Sequence, residues 1–192
     1  MNNQLWWYVA RSSGIVAWAL VAASVLWGLS LSTKVLKRWV RPNWLLDLHR
    51  FLGGLSVVFT GVHLAALVAD SYTSFGPTDL LVPFASTWKP QAVAWGVVAM
   101  YLMIAVELTS LARRRLSKRM WRAVHMTAYP LFRMATVHGL TAGTDASNPI
   151  LRASYYLVAL AVVWLTVWRI HTATRPQAAV APARRIPVLT TN

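Results

Sequence analysis

The sequence predicts an all-α integral membrane protein, a bundle of about five transmembrane helices. Of the 192 residues, 57% are hydrophobic and only 12% are charged, about half the charged fraction of a typical soluble domain. The hydrophobic residues occur in long blocks, and the mean hydropathy is +0.47. Backbone groups that face lipid must find hydrogen-bond partners within their own segment, so these blocks are expected to be helices.

Five of the apolar blocks have the ~20 residues needed to cross ~30 Å of hydrocarbon. They are Ser12–Leu31, Leu46–Val68, Gln91–Leu111, Trp121–Leu140 and Leu151–His171. A short interfacial helix is predicted at Asp79–Phe84, in the segment between the second and third blocks. We expect one transmembrane domain over residues 1–174. The tail, residues 175–192, is rich in Pro, Ala and Arg and is predicted to be disordered.

The net charge of +14 is concentrated at alternate ends of the apolar blocks. The basic clusters are Lys34, Lys37, Arg38 and Arg41; Arg113, Arg114, Arg115, Lys118, Arg119 and Arg122; and Arg169, Arg175, Arg184 and Arg185. By the positive-inside rule, this alternation predicts a multi-pass protein of the cell membrane with its N-terminus outside and its tail in the cytoplasm. Membrane lipid is therefore an expected partner. Nucleic acid is not, because no continuous basic face is visible.

Four of the five histidines lie in the second and fourth blocks, which run in the same direction across the membrane. His49 and His125 fall near the predicted cytoplasmic face, and His63 and His138 near the outer face. The sequence thus predicts two histidine pairs at two matched depths.

Helix geometry supports this arrangement more directly for one block than for the other. The 14 residues from His49 to His63 rise ~21 Å and end ~40° short of four full turns, so both rings project from nearly the same face. The 13 residues from His125 to His138 miss a common face by ~140° on an ideal helix. Pro130 lies between them and predicts the distortion that would realign them.

Paired histidines at two depths favour haem, because haem iron takes two axial ligands and neutral imidazole binds it through one ring nitrogen. The alternatives are a polar helix interface built from histidine hydrogen bonds, or zinc, which usually requires further ligands. The sequence contains no cysteine, which excludes thiolate haem ligation and cysteine-bound iron–sulfur clusters. Small residues near the histidines are predicted to leave room for a macrocycle: Gly53, Gly54, Gly61 and Gly139. His171 is interpreted as an interfacial residue.

With these residues in place, the chain resembles the ferric reductase-like transmembrane family. That family includes NADPH oxidases, iron reductases and the haem-binding membrane subunit of the bacterial periplasmic methionine-sulfoxide reductase system. The stretches Leu48–His63 and Trp121–Gly143 carry the resemblance, which extends roughly from Trp7 to His171. It implies a dihaem core of two haem b groups.

The resemblance also implies the pairing of the metal ligands. His49 would stand opposite His125 at the inner haem, and His63 opposite His138 at the outer haem. It further implies electron passage from a cytoplasmic donor to an acceptor on the outer face.

Three arginines are candidates for binding the cofactor. Arg133 falls between the two predicted levels, where an unpaired arginine is costly, so it is predicted to pair with a haem propionate; the alternative is snorkelling or a carbonyl contact. Arg11 matches a family arginine near the oxygen-reducing site of the oxidases, whereas Leu67 stands where those oxidases have a second histidine. Arg11 and Arg50 are further propionate candidates or interfacial charges.

The predicted function is that of a membrane cytochrome b-type electron-transfer subunit of an oxidoreductase. No G-x-G-x-x-G motif follows a predicted strand, so a separate flavoprotein or reductase, or a quinol, is expected as the electron donor. The alternatives are a haem-binding sensor or assembly protein without turnover, and a small-solute carrier. The acceptor and the oligomeric state are left open.

Overall fold

A computed structural model describes residues 3–33, 42–71 and 75–174. Within these ranges every regular element is helical. The elements are α1 (Asn3–Thr33), α2 (Pro42–Ala69), α3 (Pro77–Leu81), α4 (Pro90–Leu111), α5 (Lys118–His125), α6 (Ala128–Ala142) and α7 (Pro149–Thr174), with a 3₁₀ turn at Arg113–Arg115. The predicted all-α class is confirmed. The basic cluster from Lys34 to Arg41 and the predicted disordered tail lie outside the described residues.

Four helices are long and apolar enough to cross a membrane: α1, α2, α4 and α7. Each contains one of the predicted blocks and extends beyond it at one or both ends. Three of them begin at a proline, namely Pro42, Pro90 and Pro149. Proline is favoured at a first helical position because its fixed φ suits the helix and its missing N–H would lack an intrahelical partner there.

The fourth predicted block, Trp121–Leu140, is not one continuous helix, and in this respect the prediction was wrong. It is divided into α5 and α6 at Met126–Thr127. Pro130 explains the position of the break, because it has no N–H to donate to the Met126 carbonyl and its ring crowds that carbonyl. Instead the Tyr129 N–H donates to the Met126 carbonyl at 3.3 Å. The predicted distortion between His125 and His138 is therefore confirmed.

The two short helices together return along the whole length of α4. The end of α6 lies beside the start of α4, where the Lys89 ammonium donates to the Thr141 carbonyl at 3.1 Å. At the opposite end of α4, the Arg113 guanidinium lies 4.5 Å from the centre of the Trp121 ring on α5. The broken pair thus occupies the place of the fifth predicted crossing.

The short helix α3 begins and ends earlier than the predicted Asp79–Phe84. The Asp79 carboxylate accepts a hydrogen bond from the Gly76 N–H at 2.8 Å, which caps its first turn. Leu80 and Phe75 pack with residues near the start of α4 in a small apolar cluster. This cluster covers the end of the bundle that the charge pattern assigns to the outside.

The main core joins α1, α4, α6 and α7. The Trp18 indole N–H donates to the Thr136 hydroxyl at 3.0 Å, and its ring centre lies 4.2 Å from that of Tyr155. Tyr155 in turn lies directly against Gly139, where an added Cβ would collide with its hydroxyl. These contacts fix α6 beside α1 and α7.

Candidate functional site

The structure brings four histidines together in the two predicted pairs. The ring centres of His49 and His125 lie 6.0 Å apart and their planes are inclined by 81°. The ring centres of His63 and His138 lie 6.4 Å apart, with an inclination of 78°. The rings of each pair are therefore close to perpendicular.

The helices that carry these histidines hardly contact each other directly. Among the described residues, α1 packs along α2, and α4 packs along α5 and α6, whereas α2 and α6 make few backbone contacts. The helices that carry the histidines are therefore each packed against a backing helix, which is α1 for α2 and α4 for α5 and α6. They are separated from the helix that carries the facing histidine. The histidine rings extend into the space between them.

The geometry fits a metal ion that binds both rings of a pair. A first-row metal bonds an imidazole nitrogen at about 2.0 Å, so two imidazoles on opposite sides of one ion have ring centres about 6.3 Å apart. Among the described residues, no group of three or more histidine, aspartate or glutamate side chains could hold a metal ion. A haem iron needs only two protein ligands, because the porphyrin supplies the other four. The residues present therefore fit haem at both levels.

The outer pair is oriented by backbone carbonyls of the two backing helices. His63 Nδ1 lies 2.7 Å from the Ala10 carbonyl oxygen on α1, and His138 Nδ1 lies 2.8 Å from the Ala92 carbonyl oxygen on α4. A carbonyl only accepts, so each Nδ1 carries the proton and donates it. This leaves the two Nε2 atoms unprotonated and able to bind a metal.

The inner pair is held more weakly. His49 Nδ1 lies 3.3 Å from the Ser24 hydroxyl on α1. His125 Nδ1 is buried and has no hydrogen-bond partner among the described residues. Instead, the Trp121 ring stacks on the His125 ring with centres 4.9 Å apart and planes inclined by 20°.

Three glycines that were not predicted from the sequence lie directly against the imidazole rings. They are Gly14 and Gly28 on α1, facing His63 and His49, and Gly96 on α4, facing His138. One signal was available: Gly14 and Gly28 are 14 residues apart, the same spacing as His49 and His63.

The four glycines that were selected do not contact the histidines. An added Cβ at Gly53 would meet the Glu107 carboxylate, and one at Gly139 would meet Tyr155. At Gly54 and Gly61 no atom of the other described helices lies within 4 Å of an added Cβ.

A cavity of about 230 Å³ adjoins the outer pair. His63 and His138 both line it, together with mostly apolar side chains of α1, α4 and α6. Arg11 and Asp145 also line it, and each is a little over one-quarter exposed. The outer histidines therefore border an apolar space with a charged rim.

The arginines predicted to bind the cofactor are placed differently from one another. Arg11 forms a two-pronged ion pair with Asp145, in which Nε donates to Oδ2 at 2.8 Å, and its guanidinium lies 4.0 Å from the Trp7 ring centre. Arg133 is exposed on α6. Arg50 is exposed and lies 3.5 Å from Asp47.

Comparison with known proteins gives one positive result. No curated protein and no solved structure gives a significant match. The sequence pattern of the family described as ferric reductase like transmembrane component matches residues 13–136. This match covers nearly two thirds of the chain, from α1 into α6, and ends two residues before His138. The chain therefore belongs to the ferric reductase-like transmembrane family.

Proposed function

We propose that the protein is a membrane cytochrome b that carries electrons through two haems from a cytoplasmic donor to an acceptor on the outer face. The observation that carries the proposal is the pairing of four histidines at two levels between helices that barely touch. Bound haem would supply one-electron redox chemistry at each level. His49 and His125 would hold the inner group, and His63 and His138 the outer group.

The histidines determine the kind of chemistry that the site can perform. Two imidazoles on each iron leave no open position for a substrate, so the transfer would be outer-sphere. The chain's role is then to set distance, orientation and environment. Along α2, the 14 residues between the two levels correspond to a rise of about 21 Å.

The positive charge at one end of the bundle supports the proposed direction of transfer. The Arg113 guanidinium lies over the Trp121 ring, which stacks on His125, and this positive charge supports a cytoplasmic location for the inner pair. Moving an electron outward across an inside-negative membrane is favourable by about 2.3 kcal/mol per 100 mV. The membrane potential would therefore assist the proposed direction.

The proposal also includes an electron donor for the inner level and an arginine partner for a haem propionate. A separate flavoprotein or reductase, or a quinol, would reduce the inner level. Arg11 lines the outer cavity, where it would face a propionate while its ion pair with Asp145 stays intact. Arg133 is the second propionate candidate.

Transfer across a sealed membrane tests the function directly. Protein is reconstituted in vesicles with a membrane-impermeant reductant inside and ferricyanide outside, and haem oxidation is followed in the α-band. The proposal predicts that external ferricyanide reoxidises haem that was reduced from inside. His63→Ala should stop this transfer while the inner haem remains reducible, and His171→Ala, which changes the exposed histidine of α7, should transfer like the wild type.

Two other outcomes would identify the alternative functions. Haem that is bound but not reoxidised from outside would indicate a sensor or an assembly protein. A protein that purifies with little or no haem, by its pyridine haemochrome spectrum, would favour a solute carrier. Either outcome contradicts the proposed electron transfer.

A further inference from the structure

We infer that Gly14, Gly28 and Gly96 are positioning residues that fix the orientation of three of the four imidazoles. The inference rests on the proposed function, because it concerns the rings that would bind the two haems. It adds a role for the backing helices α1 and α4, which supply none of the four paired histidines.

The same four-residue spacing occurs three times, twice from a backbone carbonyl oxygen and once from the Ser24 side-chain hydroxyl. Each glycine stands four residues after the residue whose oxygen approaches the histidine Nδ1. The three pairs are Ala10 with Gly14 for His63, Ala92 with Gly96 for His138, and Ser24 with Gly28 for His49. We call these the oxygen–glycine pairs.

Helix geometry explains why the fourth residue is glycine. In an α-helix the carbonyl of residue i accepts the N–H of residue i+4, and the side chain of residue i+4 lies on the same face one turn later. A carbonyl oxygen has a second lone pair that a histidine N–H can use. With no Cβ at residue i+4, an imidazole can lie flat enough against the helix to reach that lone pair.

The distances agree with this explanation. A Cβ added to Gly96 would lie 2.7 Å from His138 Nδ1, a separation at which the ring must move. A Cβ added to Gly14 would lie 3.0 Å from His63 Nδ1, and one added to Gly28 would lie 3.2 Å from a carbon of the His49 ring. The constraint is therefore tightest at Gly96.

At the outer level the two carbonyl contacts are short, at 2.7 and 2.8 Å, whereas His49 at the inner level lies 3.3 Å from the Ser24 hydroxyl. A histidine that donates from Nδ1 is a more basic metal ligand and is held in one orientation. Stronger electron donation stabilises ferric over ferrous iron. Losing the Ala92 contact should therefore raise the midpoint potential of the outer haem alone.

The experiment compares alanine substitutions in the purified full-length protein. Gly96→Ala and Gly14→Ala test the outer level, and Gly28→Ala tests the inner level. The controls are Gly54→Ala and Gly61→Ala in α2, where no atom of the other described helices lies within 4 Å of an added Cβ. These two positions lie about 140–160° around the helix from the nearer histidine.

Three properties are measured: haem per chain, the midpoint potential of each haem, and the low-spin ferric EPR spectrum. Nearly perpendicular imidazole planes give a spectrum with a large maximum g value. Gly96→Ala should shift the maximum g value and raise the potential of the outer haem, with the inner haem unchanged. Gly28→Ala should shift the inner signal, while both controls should match the wild type.

The outcomes separate this inference from the proposed function. If the wild type contains no haem, the proposed function fails. If the wild type contains two haems but Gly96→Ala and Gly28→Ala give the spectra and potentials of the controls, the glycines do not position the rings. Equal changes at both haems in Gly96→Ala would indicate general loosening of the bundle and would also overturn the inference. If Gly96→Ala does not accumulate, Gly14→Ala and Gly28→Ala decide by the same criteria.

Discussion

At the scale of single residues, the four imidazoles are held by different means. His63 and His138 donate to backbone carbonyls at 2.7 and 2.8 Å, whereas His125 depends on its stack with Trp121. A backbone carbonyl is fixed by its helix, but an aromatic ring can change its rotamer. We therefore expect the inner level to be the more sensitive to side-chain substitution.

Replacing Trp121 tests this expectation. An aromatic pair contributes about 1 kcal/mol beyond area burial, which corresponds to about fivefold weaker retention of the inner haem. Trp121→Leu should lose inner haem during washing or dilution and retain outer haem. Trp164→Leu, which changes an exposed tryptophan of α7, should retain both, and equal retention in the two variants would show that the stack does not hold His125.

Arg133 is exposed in the structure, and its proposed partner is a haem propionate. Removing a charge-assisted hydrogen bond to a propionate should weaken haem binding by about 1.5–3 kcal/mol. Arg133→Ala should therefore purify with less haem per chain than the wild type. Arg152→Ala, in the first turns of α7, is the control, and unchanged haem content in Arg133→Ala would contradict the propionate role.

At the scale of the elements, the break between α5 and α6 sets the relative direction of two histidines. A continuous helix would separate His125 and His138 by about 140° around its axis. Because Pro130 interrupts the helix at Met126–Thr127, both rings face α2. The defect thus contributes to the site although no atom of Pro130 belongs to it.

Replacing this proline should change haem stoichiometry. Pro130→Ala restores the missing N–H and relieves the crowding of the Met126 carbonyl, which favours a continuous helix. One histidine should then rotate out of its pair, and haem should fall toward one per chain. Pro149→Ala, at the first position of α7, should keep the wild-type content, and full content in Pro130→Ala would show that the break does not depend on the proline.

The packing of α1 against α6 includes a buried hydrogen bond between the Trp18 and Thr136 side chains. Trp18→Phe keeps the ring near Tyr155 but removes the donor to Thr136. The free energy of unfolding should fall by about 1 kcal/mol, measured by thermal unfolding in detergent against Trp164→Phe. An unchanged melting temperature would mean that the hydrogen bond contributes nothing to the core.

The elements also show what could be predicted from the sequence. Block length and hydropathy predicted α1, α2, α4 and α7, and Pro130 predicted the distortion between His125 and His138, because both signals are local. The oxygen–glycine pairs could not be predicted in the same way. Gly96 acquires its role from packing against a ring 42 positions away, and no local period in the sequence specifies that contact.

At the scale of the whole molecule, the histidines lie on two parts of the bundle, α2 and α5–α6. Each part packs against a neighbouring helix, and a space separates the two. α1 supports α2 and presents two glycines to its histidines, while α4 supports α5 and α6. The main core joins α1, α4, α6 and α7, and the Ser56 and Thr60 hydroxyls of α2 each lie 3.7 Å from the Met103 sulfur of α4. In this arrangement the two imidazole rings of each pair lie close together, with centres 6.0 and 6.4 Å apart.

The two-level histidine pairing predicts the amount of haem per polypeptide, which can be measured in the purified protein and in two ligand variants. We predict two haems per chain in the wild type, and one in each of His49→Ala and His63→Ala, with the remaining haem differing between these variants in EPR signal and potential. His171→Ala should retain two. A wild type with fewer than two haems, or ligand variants that keep both, would contradict the assignment of one haem to each histidine pair.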